Sequence, residues 1–447
     1  MEEQDKLTSY KQDMEKRGKV TVIFGPNGSG KTQLVEKMRR QMASDSVRYL
    51  AFSDAYGPAT DRAYYLQLRW NQHDIDEETP SVGTLLDRAF HQTEGDLAQR
   101  EQLRQQLYQL FDMQSLLDKY VILLSSGELR KFQLIKTLFA SPKTLILDNP
   151  YIGLDAQARQ QLNDLLPRLA TEQGIHLYLV VARKNDIPNY ADEIVPVGTI
   201  ETTETVSTLD AIGATGTVAT LPPSHSDVVI DMHHVTIRYG SRTILKDLSW
   251  TVNRGDRWAI SGKNGSGKST LLSLVCADNP QSYACDISLF GHPRGSGESI
   301  WDIKRRIGYV SPEMHRSYQR NLPTINVVAS GLKDTVGLYV RPNEAEKALC
   351  RRWLDIFGIA QLAQRSFITL SSGEQRLALV ARAFVKSPEL LILDEPLHGL
   401  DDANRDLVQS IIEQYCKDTS KTLVMVTHYE EELPPCINKR LTLEWQE

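Results

Sequence analysis

Long apolar runs are missing from this chain. Among its 447 residues no stretch approaches the ~18 consecutive apolar positions that a membrane span requires. The first residues, MEEQDKLTSYKQDMEKRGK, are charged and hold no apolar signal core, so a cytoplasmic protein is expected. Cysteine is scarce. All five (Cys276, Cys285, Cys350, Cys416 and Cys436) stand in the second half, scattered and without zinc or disulfide spacing, and they read as reduced packing residues. An excess of basic charge is also absent: the net charge of −6 removes any general electrostatic reason to bind nucleic acid. What remains is the composition of a soluble globular protein, too long for one ordinary core at about 150 residues per domain.

The chain does contain repetition. LLSSGELRK at 123–131 returns as TLSSGEQRL at 369–377, and LILDNPYIGLD at 145–155 returns as LILDEPLHGLD at 391–401, both displaced by 246 positions. TVIFGPNGSGKT (21–32) returns as WAISGKNGSGKST (258–270), with Lys31 and Lys268 displaced by 237. Landmarks in the same order at nearly constant spacing identify a tandem duplication. Between the copies, residues 198–227 are rich in Thr, Ala, Gly and Ser with a Pro pair, a composition that suits an exposed linker. The units are therefore expected at 1–197 and 228–447. In each, short apolar runs alternate with polar helical stretches, which predicts an α/β fold with a mainly parallel sheet flanked by helices.

Both Gly-rich stretches fit G-x-x-x-x-G-K-[ST] between a β-rich run and a helical one. Gly25, Asn27, Gly28 and Gly30 in the first copy, and Gly262, Asn264, Gly265 and Gly267 in the second, form a backbone able to wrap a phosphate chain. Lys31 and Lys268 are predicted to reach the β- and γ-phosphates, with Thr32, Ser269 and Thr270 opening the helices. A lone match of this kind can be an ordinary Gly-rich turn; two matches with further landmarks behind them set that reading aside. Asp148 and Asp394 end apolar strands, where Thr32 with Asp148 and Ser269 with Asp394 are placed to hold Mg²⁺. The alternative is a structural aspartate closing a strand.

Phosphate loop, LSSGE, LILD[E/N]P, GLD and VTH, in this order, resemble the ATP-binding cassette (ABC) ATPases over nearly the whole chain. The resemblance implies P-loop NTPase cassettes, each with a helical signature subdomain, paired head to tail with two ATP molecules between them. It further implies that Tyr239 stacks on adenine, although a plain strand aromatic is the alternative. The serine and glycine of LSSGE would touch the γ-phosphate held by the opposite copy: Ser125 and Gly127 from the first, Ser371 and Gly373 from the second. Both signatures depart from the usual LSGGQ at the third and fifth positions.

In the family, the residue after the Mg²⁺-binding aspartate is a glutamate that polarises the attacking water. Glu395 fills that role in the second copy; Asn149, a carboxamide, cannot act as a base in the first. His428 resembles the switch histidine that contacts the γ-phosphate, and Arg183 is read as its match in the first copy. One hydrolytic and one retained ATP site are expected. The first copy also begins late, so its N-terminal strands and adenine aromatic are expected to be missing or rebuilt, with Tyr10 a weak substitute.

The family's coupling glutamine is replaced by Pro312, followed by Glu313, and by Phe52 in the first copy; Gln67 and Gln319 lie some residues later. This places ordinary permease coupling in doubt. Even so, the tandem architecture and the ending VTHYEEELPPCINKRL resemble the ModF/photorepair-protein type, which implies energising a separate membrane permease, possibly molybdate-type. The alternative is a soluble ABC ATPase acting on ribosomes or nucleic acid, although residues 198–227 lack the long charged helix of such proteins. The stretches DRAYYLQLRW (61–70) and KRR (304–306) read as core contacts and a solvated basic patch, or else as partner surfaces.

Overall fold

The apolar runs become parallel strands. The computed structural model of the chain describes residues 18–42, 46–51, 80–121, 124, 126–152, 154, 156–198, 224, 226–239, 242–263, 266–312, 314, 318, 321–335 and 340–444. These residues divide between two compact units, 18–198 and 224–444.

In the first unit, β1 (Val20–Phe24) leads through the phosphate loop into α1 (Lys31–Gln41) and then β2 (Val47–Ala51). Three helices follow: α2 (Val82–His91), α3 (Leu97–Phe111) and α4 (Ser126–Leu138). The chain returns to the sheet through β3 (Thr144–Asp148), α5 (Ala156–Glu172), β4 (His176–Val181) and β5 (Glu193–Pro196). All five strands run parallel in the order β2-β3-β4-β1-β5. The central three, VTVIF, TLILD and HLYLVV, read as near-continuous apolar runs because both sheet faces are covered. Helices α2 and α3 pack on α4, a helical layer inserted between β2 and β3.

The second unit opens with a long hairpin, β6 (Val228–Tyr239) and β7 (Arg242–Asn253). Next come β8 (Arg257–Ser261), α6 (Lys268–Val275), β9 (Asp286–Leu289) and β10 (His292–Pro293). Helix α7 (Ile300–Arg306) runs into β11 (Ile307–Val310), followed by α8 (Thr324–Ser330), α9 (Glu344–Ile356) and α10 (Ser372–Phe384). The unit ends with β12 (Leu390–Asp394), α11 (Asp402–Cys416), β13 (Thr422–Val426) and β14 (Lys439–Thr442). Its parallel sheet, β11-β12-β13-β8-β14, repeats the first unit's order strand for strand. An antiparallel sheet, β10-β9-β6-β7, is added to it. Among the described residues the first unit has no such second sheet.

In the second unit a cluster runs from Trp353, Phe357 and Phe384 across the signature helix to β12 and β13, with Leu354, Leu379, Leu391 and Leu423 fully enclosed. Both units keep an ion pair between the helix after β3 or β12 and the segment after β4 or β13: Arg159–Asp186 at 2.7 Å and Arg405–Glu432 at 2.5 Å.

Candidate nucleotide sites

The sheets end their strands at two loops of the same build. Gly30 and Gly267 cap α1 and α6 in the left-handed region, at φ 89° and 93°, where a side chain is strained. Neither cap has a side-chain acceptor for the helix N–H groups, which point toward the loop's concavity. The loops are tight: a Cβ at Gly25 would stand 2.1 Å from the Val197 carbonyl oxygen. Lys31 Nζ lies inside its loop, donating to Gly25 O and Pro26 O at 2.6 Å each; Lys268 Nζ donates to Gly262 O at 2.6 Å and Lys263 O at 2.9 Å. Each largely buried ammonium thus sits where the helix dipole already favours an anion. Thr32 is exposed and Ser269 half-buried in the first helical turns. Gly28 is also left-handed, at φ 76°.

Asp148 and Asp394 end β3 and β12, as predicted. Asp148 accepts a hydrogen bond from the Tyr49 hydroxyl at 2.8 Å and another from Asn149 Nδ2 at 3.0 Å. Burial pushes its carboxyl above the usual range, opposed by the Tyr49 hydrogen bond and the Lys31 charge. The register of β2 against β3 brings Tyr49 there, a contact that sequence reading missed.

The next residue carries the difference. Asn149 and Glu395 adopt the same left-handed backbone, φ 51° and 49°, and each donates its N–H across the sheet at 2.9 Å, to Val180 O and Val426 O respectively. Glu395 Oε1 stands 3.0 Å from His428 Nε2, and its Oε2 stands 2.8 Å from His398 Nδ1. Burial pushes this carboxyl upward, but the hydrogen bonds from His398 and then His428 outweigh it and hold it well below the usual carboxylate range. Glu395 is therefore ionised at neutral pH with both oxygens engaged.

The shared register corrects one expectation. Since Val180 and Val426 occupy the same place in the two sheets, the residue matching His428 is Ala182, with Arg183 one position further. Matching one basic side chain to another on chemical type, without the strand register, produced the slip. The same register pairs His398, which sequence reading overlooked, with Ile152. The first copy thus lacks the carboxylate and both of the histidines that hold it.

At the second signature, Ser371 caps α10: its hydroxyl accepts from Glu374 N at 3.4 Å, and Glu374 Oε2 accepts from Ser371 N at 2.7 Å. The glutamate at the fifth signature position thus completes a capping box, and Gly373 is buried in the first turn. Gly127 lies in the first turn of α4, which begins at Ser126. Tyr239 ends β6 opposite Arg242, and Pro312 follows the buried Ser311 after β11. Pro312 lacks the side-chain amide of the glutamine it replaces. Outside the described residues lie Tyr10, Phe52, Gln67, residues 61–70, Ser125, Asn264, Gly265, Glu313, Gln319 and the side chain of Tyr239. The KRR stretch is paired: Lys304 with Asp278, Arg305 with Asp302 and Arg306 with Glu389.

Among the described residues no group of three or more His, Cys, Asp or Glu side chains forms a metal cage, and no helix is long and apolar enough to cross a membrane. Were Mg²⁺ bound, Thr32 with Asp148 and Ser269 with Asp394 would offer it a hydroxyl and a carboxylate oxygen each, the few hard oxygens it takes from protein when phosphates provide the rest.

The family model described as ABC transporter matches residues 14–152 and again 245–398. The chain is similar to the ABC transporter ATP-binding protein ModF of Escherichia coli K12, 36% identical over 94% of this chain and 90% of that one. An uncharacterised ABC transporter ATP-binding protein of Schizosaccharomyces pombe is 28% identical over 94% of this chain and 91% of its own. Another, from Saccharomyces cerevisiae, is 26% identical over 74% of this chain and 70% of its own. With two phosphate loops, two strand-end aspartates and two matches to one family, the chain belongs to the ABC transporter family as a tandem-cassette ATP-binding protein and ATPase.

Proposed function

We propose that the cassettes, 1–197 and 228–447 joined by the linker 198–227, pair head to tail within one molecule and bind two ATP molecules unequally. The hydrolytic site uses Lys268, Ser269, Asp394, Glu395 and His428, completed by Ser125 and Gly127 of the first copy. The retained site uses Lys31, Thr32 and Asp148, completed by Ser371 and Gly373; Tyr239 stacks on the adenine of the nucleotide at the hydrolytic site. Mg²⁺, held through Thr32 and Asp148 or Ser269 and Asp394, supplies neutralising charge to the phosphates when bound. Glu395 orients and polarises the attacking water through one carboxylate oxygen, and the amide of Asn149 cannot replace it. The observation that carries this reading is the grip of two histidines on Glu395, set against Asn149, Ile152 and Ala182 in the same frame. Phosphate release by Glu395→Gln tests it: turnover is abolished while ATP binding persists, and unchanged turnover overturns the assignment.

The cellular role we infer is to energise a separate membrane permease from the cytoplasmic side, with a molybdate-type system the first to examine. Support comes from similarity to transporter ATP-binding proteins over nearly the full length. Pro312, in place of the coupling glutamine, favours a second reading, a soluble ATPase acting on ribosomes or nucleic acid. Capture of the Glu395→Gln protein with ATP from its own cells separates the two. An integral membrane protein in the capture supports transport; ribosomal subunits or nucleic acid without one overturn it.

A further inference from the structure

We propose that His398 is a positioning residue that anchors one oxygen of Glu395 so that the other is left to work on water. This deepens, and rests on, the assignment of hydrolysis to the second copy. The residue stands three positions after the glutamate, in a turn closed by His398 N donating to Glu395 O at 3.2 Å. The left-handed backbone at Glu395 folds that turn back on itself, bringing Nδ1 to 2.8 Å from Oε2. The ring is nine-tenths buried, with 9% of its side chain exposed.

Two features separate this contact from ordinary packing. An ionised carboxylate only accepts hydrogen bonds, so Nδ1 carries the proton. Nε2, the other ring nitrogen, is buried and has no hydrogen-bond partner among the described residues. A buried unpaired polar atom is a cost that needs a compensating role. Nor does the turn itself require histidine. In the first unit Ile152 closes the same turn, its N–H donating to Asn149 O at 3.3 Å, beside an amide that does no base chemistry. The imidazole therefore answers to the carboxylate.

His398 and His428 hold opposite oxygens, from the turn after β12 and from the end of β13. As the family's switch histidine implies, His428 turns to the γ-phosphate during turnover and leaves Oε1 open. His398 stays with Oε2 and keeps the carboxylate from rotating away from the water.

The test compares full-length wild type with His398→Ile, His398→Asn and Glu395→Gln, measuring phosphate release, KM for ATP and thermal unfolding. Isoleucine is the residue the first copy tolerates at this turn. Asparagine keeps an N–H donor near the place of Nδ1. The expected result is a fall in kcat of about 10- to 100-fold for His398→Ile with KM for ATP unchanged. His398→Asn should recover most of that loss at the same melting temperature as His398→Ile. Equal rates for the two variants, or a rise in KM matching the fall in kcat, would overturn the positioning role. So would full activity in His398→Ile beside an inactive Glu395→Gln, leaving the hydrolytic assignment in place. An active Glu395→Gln would remove that assignment and the positioning role with it.

Discussion

The turns after β3 and β12 are the same piece of backbone carrying different chemistry. Both begin with a left-handed residue whose N–H crosses to the neighbouring strand at 2.9 Å. In one, a carboxylate is held by two imidazoles; in the other, an amide turns to the aspartate before it. The duplication has kept the frame, and with it the phosphate loops, the sheet order and the Arg159–Asp186 and Arg405–Glu432 pairs. On the proposed reading, the two copies differ in function through Glu395 and the two histidines that hold it in the second copy. Because a base and the groups that orient it act as a unit, losing the base removes the reason for keeping its partners.

The sharpest break in the symmetry is expected at the base. Glu395→Gln should lower turnover by about 10²- to 10⁴-fold, whereas Asn149→Ala should change it little, both measured as phosphate release. Next come the lysines. Lys268→Ala should cost at least about 10²-fold in turnover by removing the phosphate grip at the working site. Lys31→Ala should instead halve the number of nucleotides bound, counted by equilibrium dialysis, with a loss of turnover below about 10-fold. The reverse transplant sharpens the comparison. Asn149→Glu alone should leave turnover flat, and only the triple change with Ile152→His and Ala182→His should raise it, toward about twofold as a second site begins to work.

Smaller effects concern stability. Ser371→Ala should cost about 1 kcal/mol in urea unfolding of the second unit, since it removes the side-chain acceptor that caps α10. Glu395 adds a pH dependence. Its folded-state pKa is depressed, so the stability it contributes is present above the ordinary glutamate value of 4.5 and is lost as pH falls below it. The stability gap between wild type and Glu395→Gln should therefore narrow in acid, followed by thermal unfolding from neutral pH down to about 3.

Much of this was legible in the sequence because the chemistry is local. Glycine spacing, a lysine at the helix start and an acid closing an apolar run each report their own place, and apolar runs alternating with helical stretches foretold the parallel sheets. What escaped depends on register. Tyr49 reaches Asp148 only because β2 lies beside β3, and nothing in VRYLA points across a sheet. Arg183 was matched to His428 by charge, where pairing Val180 with Val426 selects Ala182. His398 lies within the repeated motif itself: LILDEPLHGLD set against LILDNPYIGLD letter by letter places it opposite Ile152, a second polar difference beside the conspicuous one.

The capping box on α10 has a consequence for binding. A helix whose first turn is already closed by its own Ser371 and Glu374 has little disorder left to lose when a partner arrives. If the cassettes pair as proposed, the second signature would meet ATP with its helix start already formed. The glutamate that departs from the family's usual glutamine has one carboxylate oxygen tied to the Ser371 N–H, so this departure itself builds the anchored helix start.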